Sequence, residues 1–163
     1  MNRKGQDLLI RALTGLPDVT LLLVGHGPDR DTYQKLAEEL GVAGRVGFLG
    51  AVPHDDLPAI YSAADVMALP SASEGLANAW VEALACGTPI AISDVGGARE
   101  LLTDAQAGRI VERTPEALAS TLREMLSETP NRTAVRKAAL RFTWATNAAA
   151  LVEHLSGMAG KAA

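Results

Sequence analysis

Apolar positions along this chain fall into short unbroken runs that alternate with stretches of helical spacing. Residues 7–13 put Leu8, Leu9, Ala12 and Leu13 on one helical stripe, which Gly15 and Pro17 end. The run 19–24 is almost wholly Val and Leu, the pattern of a strand buried on both faces of a parallel sheet. Gly25-His26-Gly27-Pro28 then turns the chain into a helix over 29–40, with Gly41 as its stop. Further strands are expected over 45–49, 66–69, 89–93 and 109–111, and shorter helices over 55–63 and 99–102. Thr114 is a plausible N-cap for a helix over 115–126. Beyond Pro130, helices are expected to about 142 and over 146–155, with a disordered tail over 157–163. Strands alternating with helices imply right-handed crossovers and an α/β fold: a doubly wound parallel sheet, Rossmann-like.

The stretch 71–90 organises the rest. Ala77, Trp80, Val81, Leu84 and Ala85 follow helical spacing, and Gly87 and Pro89 end the helix. Two carboxylates, Glu74 and Glu82, stand eight positions apart, with Gly75 after the first and Asn78 one turn before the second. Eight helical residues rise by roughly 12 Å. One carboxylate on either side of a helix N-terminus could grip two hydroxyl-bearing groups with a phosphate between them, the form of a nucleotide sugar. The plainer account is a capping arrangement, Ser71-x-x-Glu74, beside an exposed Glu82.

Length and charge narrow the field. The chain has 163 residues, enough for one domain with a single core, and 48% of them are hydrophobic. A net charge of −4 without a basic run gives no support for nucleic-acid binding. One cysteine, Cys86, argues for a reduced, cytoplasmic setting, and no apolar run approaches membrane-spanning length. His26, His54 and His154 are scattered and no Cys/His cluster has metal spacing; Gly-x-Ser-x-Gly is absent.

In open α/β sheets ligands lie beyond the carboxyl ends of the strands. Three loops rich in Gly or small residues are expected there: 25–28, 71–78 and 94–97. Gly25-x-Gly27 lacks the third glycine of a dinucleotide fingerprint, since Arg30 stands in its place, and a simple turn is the plainer account of it than a ligand contact. The same holds for Asp94 to Gly97. Lys4 could neutralise a diphosphate or be an ordinary solvated lysine.

These signals line up in order with a family. The pieces are Lys4-Gly5 with Leu8-Leu9-Ile10-x-Ala12, then Leu22-Leu23-Val24-Gly25-x-Gly27-Pro28 and Val46-x-Phe48-Leu49-Gly50-x-Val52. They continue through Leu57-x-x-x-Tyr61-x-x-Ala64-Asp65-Val66 into Leu69-Pro70-Ser71-x-x-Glu74-Gly75-Leu76-x-Asn78-x-x-x-Glu82-Ala83-Leu84-Ala85-Cys86-Gly87-x-Pro89. Ser93-Asp94-Val95-Gly96-Gly97-x-x-Glu100 and Phe142-x-Trp144 close the series. With them the chain resembles the C-terminal, nucleotide-sugar-binding half of retaining glycosyltransferases of the GT-B fold, group 1 or family 4.

The resemblance implies one donor-binding domain over 4–156 and an absent N-terminal acceptor domain. It implies that Glu74 contacts hydroxyls of the transferred sugar, that backbone amides of Gly75, Leu76, Ala77 and Asn78 meet sugar and diphosphate, and that Glu82 binds the ribose. Lys4 matches the family's diphosphate lysine, whereas the arginine usual a few residues upstream, on a strand that would come just before Met1, has no counterpart. Gly25, Gly27 and Val52 would border the base. Ala77 departs from the Gly or Pro of many members, and Trp80 from an aliphatic residue. The expected donor is a nucleotide-diphospho-sugar, a UDP-sugar by family frequency, used without a metal or other cofactor in carbohydrate biosynthesis. The expected partner is the N-terminal half of the same enzyme, and peripheral membrane association of the full-length protein stays open. The rivals are a non-catalytic flavodoxin-like binding or regulatory module and a GT-B epimerase or phosphorylase.

Overall fold

The computed structural model describes residues 3–159, with side chains through 156. The first helix, α1 (Gln6–Ala12), extends into a 3-10 turn at Leu13–Gly15 and feeds β1 (Leu21–Val24). There follow α2 (Arg30–Glu39), β2 (Val46–Gly50), α3 (Leu57–Ala63) and β3 (Met67–Leu69). Next come α4 (Asn78–Ala85), β4 (Ile90–Ile92), α5 (Ala98–Leu101) and β5 (Gly108–Ile110). Three helices close the chain: α6 (Pro115–Ser127), α7 (Arg132–Lys137) and α8 (Trp144–Ala159). Every expected strand and helix forms, and every strand pairing is parallel. Thr114 caps α6 by accepting from the Ala117 amide.

Helices cover both faces of the strands. On one side α1, α2 and α6 bury Leu9, Ile10, Ala12 and Leu118 against Leu21, Leu23, Ala68 and Ala91. On the other, Trp80, Ala83 and Leu84 of α4 pack on Ile90 and Ile92 with Leu101 and Val135. Packing Trp80 there, fully buried, fits its departure from an aliphatic residue. The α4 stripe differs in one position: Ala83 is buried and Ala85 exposed, because α4 presents Trp80, Ala83 and Leu84 to the sheet.

Three expectations need correction. The strands do not form one sheet among the described residues; β1–β2 and β3–β4–β5 are separate parallel sheets. Nor is β1 buried on both faces, since Leu22 and Val24 are 52% and 42% exposed. A run of four apolar residues reads the same whether one face or two is covered, so helical cover over only Leu21 and Leu23 leaves no trace in the sequence. Helix α8 runs to Ala159, three residues into the segment expected as a tail, and 160–163 lie outside the described residues. No helix among the described residues is long and apolar enough to cross a membrane.

Candidate functional site

The site begins at a glycine. Gly5 sits at φ +77°, and a Cβ there would stand 2.5 Å from the Pro70 carbonyl oxygen, a close approach only glycine allows. That contact presses the chain before α1 onto the loop after β3. The Ala72 amide donates to the Arg3 carbonyl at 2.7 Å, and Arg113 Nε donates to the Pro70 carbonyl at 2.8 Å. Lys4 is thereby delivered to Glu74, with Nζ 2.5 Å from Oε1. Glu74 is shielded, its side chain 10% exposed against 37% for Lys4. Burial pushes the Glu74 carboxyl up, but the Lys4 ammonium, with Arg3 nearby, outweighs it and holds the group below its ordinary value.

The Glu74 loop is held from below by 94–97. The Gly97 amide donates to the Gly75 carbonyl at 2.8 Å, and a Cβ on Gly96 would meet the Gly75 and Glu74 carbonyl oxygens at 2.0 and 2.3 Å. Ser93 Oγ donates to the Ser71 carbonyl. The glycines at 96 and 97 are thus accounted for by loop packing. Ala77, before α4, has φ −71° and ψ 127°, ordinary extended backbone, so alanine in place of Gly or Pro is unstrained. The capping arrangement does not form: α4 starts at Asn78, and Ser71 is buried beneath the loop.

Glu82 lies one turn into α4, and the Tyr61 hydroxyl of α3 donates to its Oε2 at 3.3 Å. Half-burial, then the neighbouring Glu82 carboxylate, pushes the Tyr61 phenol up to about 12. Thr88 Oγ1 anchors the same turn by donating to the Tyr61 carbonyl at 2.5 Å.

A cavity of about 480 Å³ opens at the carboxyl ends of β1 and β2. Its walls include Arg3, Lys4, Gly25, His26, Gly27, Arg30, Tyr33 and Phe48. Of the sequence candidates, Lys4, Gly25 and Gly27 line it. Glu74 joins through Lys4. Val52, half-buried after β2, does not line it, nor does any of Gly75, Leu76, Ala77, Asn78 and Glu82, which lie in the loop before α4 and in the helix itself. Sequence reasoning missed the cations Arg3 and Arg30, the latter 5.6 Å over the Phe48 ring, and the positioning residue Tyr61. Tyr61 stands in the Leu57-x-x-x-Tyr61-x-x-Ala64-Asp65-Val66 stretch that carries part of the resemblance; nothing in the spacing tied it to Glu82. Among the described residues no group of three or more His, Cys, Asp or Glu could hold a metal ion.

Parallel α/β layers with a cationic cavity at the carboxyl ends of the strands define an open-sheet domain suited to an anionic ligand. The model of the family "Glycosyl transferases group 1" matches residues 1–142, and the chain belongs to that family. It is 39% identical to a GDP-mannose-dependent alpha-(1-6)-phosphatidylinositol monomannoside mannosyltransferase of Mycolicibacterium smegmatis, across 95% of this chain and 45% of that protein. It is 40% identical to a D-inositol 3-phosphate glycosyltransferase of Mycolicibacterium gilvum, across 91% of this chain and 36% of that one. Among solved structures, Anabaena HepE in complex with UDP and glucose superposes with a TM-score of 0.84 at 30% identity, covering 96% of this chain and 45% of that one. The chain therefore spans less than half the length of these relatives.

Proposed function

We propose that this chain is the donor-binding half of a retaining glycosyltransferase that moves a hexose from a nucleotide-diphospho-sugar to an acceptor hydroxyl. The observation that carries the reading is the Lys4–Glu74 pair at the mouth of the cationic cavity. Lys4 binds the diphosphate and Glu74 the sugar hydroxyls, so donor entry converts an ion pair between protein groups into two contacts with ligand. The amides of Gly75 to Asn78 face the sugar and diphosphate, Glu82 takes the ribose, and Gly25, Gly27 and Val52 border the base. As the bond between the sugar's anomeric carbon and the diphosphate breaks, charge grows on the leaving oxygen, and Lys4 with Arg3 stabilises it without a metal. The acceptor is held by the N-terminal half of the same enzyme, so the isolated chain binds donor weakly and transfers nothing. For the base, the relatives offer guanine, named in the mannosyltransferase, and uracil, bound in HepE.

Calorimetric titration of UDP, GDP and their sugars against the chain and its Glu82→Ala variant tests this. The variant is expected to lose about 1–3 kcal/mol of nucleotide affinity, the worth of hydrogen bonds to a charged group. Unchanged affinity removes Glu82 from the ribose site. If the full-length enzyme binds no nucleotide either, the rival of a non-catalytic flavodoxin-like module takes precedence.

A further inference from the structure

Two adjacent charges on the cavity wall are left unused by the fold. Asp29 stands in the N-cap place before α2, where an aspartate ordinarily accepts from the first free amides of the helix, yet it makes no capping bond. Its φ of −87° and ψ of 4° lie outside the extended backbone that such a cap uses. Arg30, the next residue, opens α2 with its guanidinium 5.6 Å over the Phe48 ring of β2. Among the described residues no hydrogen bond or ion pair takes either side chain, and the two are not paired with each other. Both line the cavity beside Gly25 and Gly27, and a Cβ on either glycine would meet nothing within 4 Å, so the space next to them is open.

We infer that Asp29 and Arg30 read the base of the donor and select guanine, not the uracil expected by family frequency. The inference rests on the nucleotide-sugar reading of this cavity. In that reading the diphosphate belongs to Lys4 and Arg3, which leaves Asp29 and Arg30 for an uncharged group. The group must offer paired acceptors to a guanidinium and paired donors to a carboxylate. Guanine does both: its carbonyl oxygen and N7 share one edge, and its ring N–H and exocyclic amine share the next. Arg30 forks onto the first edge, and the two Asp29 oxygens accept from the second. Uracil has one N–H between two carbonyls, so it sets an oxygen lone pair against the Asp29 carboxylate and gives Arg30 no paired acceptors. Adenine has a single amine to donate, which leaves one Asp29 oxygen unmatched. The Phe48 ring holds the guanidinium in place beforehand, so less side-chain freedom is lost when the base arrives.

Titrations followed by nuclear magnetic resonance, which reads weak binding, test this on the 163-residue chain with GDP, UDP, ADP and xanthosine diphosphate. Wild type should bind GDP at least about tenfold more tightly than UDP or ADP. Asp29→Asn turns one acceptor into a donor, and xanthine carries a carbonyl where guanine has its exocyclic amine. The variant should therefore prefer xanthosine diphosphate to GDP by about tenfold. A fold defect cannot mimic that reversal, because it weakens every nucleotide alike. Arg30→Lys keeps the charge without the fork, so GDP should weaken and UDP stay unchanged. Equal binding of GDP and UDP by wild type, with both lost in Lys4→Ala, overturns the inference and leaves the nucleotide-sugar reading standing. Uniform weakening of all four nucleotides in Asp29→Asn overturns it as well. Absence of binding by any nucleotide overturns both.

Discussion

Replacing Tyr61 with phenylalanine removes one hydroxyl and leaves the ring in its packing against α4. The bond to Glu82 Oε2, at 3.3 Å, is longer than the usual 2.7–2.8 Å for a hydroxyl donor, so its own worth is at the low end for a bond to a charged group. Its effect on binding comes mainly from order: a freed Glu82 must give up its own side-chain rotamers when the ligand arrives, a cost of about 1 kcal/mol. The expected loss is therefore about 1 kcal/mol of nucleotide affinity, roughly fivefold in Kd. Stability should change little, since Tyr61 is only half-buried. Calorimetric titration with UDP and GDP reads the affinity, and thermal unfolding reads the stability. The decisive arm is the double variant. In a Glu82→Ala background, Tyr61→Phe should have no further effect, because it acts only through that carboxylate. Additive losses, or affinity equal to or tighter than wild type in Tyr61→Phe alone, would refute the role of Tyr61 as the group that holds Glu82 ready.

Three further outcomes follow from the same geometry. Gly5→Ala must adopt a left-handed backbone and meet the Pro70 carbonyl, so thermal unfolding should register about 2–4 kcal/mol of destabilisation. Gly27→Ala, whose Cβ meets nothing within 4 Å, should stay within about 0.5 kcal/mol while weakening nucleotide binding. Glu74 has a folded value held below its ordinary 4.5, so its ionised form contributes stability that is present above 4.5 and lost as pH falls through the lower folded value. Melting temperature against pH should therefore fall less steeply in Glu74→Gln than in wild type below 4.5; parallel curves would show that the Lys4 pair contributes nothing to the fold.

Much of this was legible because the chain marks its elements twice, by apolar runs and by the glycines and prolines that end them. Gly41, Gly87 and Pro89 close their helices where spacing alone would leave a boundary open. What the sequence does not encode locally is which faces meet. The Leu21–Val24 run is equally apolar at covered and exposed positions, and nothing in it specifies the division of the strands into two sheets. Candidate residues were found by type and spacing, but their pairings join distant positions. Lys4 meets Glu74 across 70 residues, and Tyr61 meets Glu82 across 21 and between different helices. The glycines at 96 and 97 show the reverse: read as either turn or ligand loop, they are accounted for by the carbonyls they pack against.

In the proposed function, Lys4 and Glu74 give up each other for the donor. A crystal structure of the chain, or of its full-length parent, with a nucleotide-diphospho-sugar tests it directly. The expected result is Lys4 Nζ moved from Glu74 to a diphosphate oxygen, Glu74 on sugar hydroxyls, and the ribose at Glu82. A nucleotide bound elsewhere, or bound here with the Lys4–Glu74 pair intact, would contradict it.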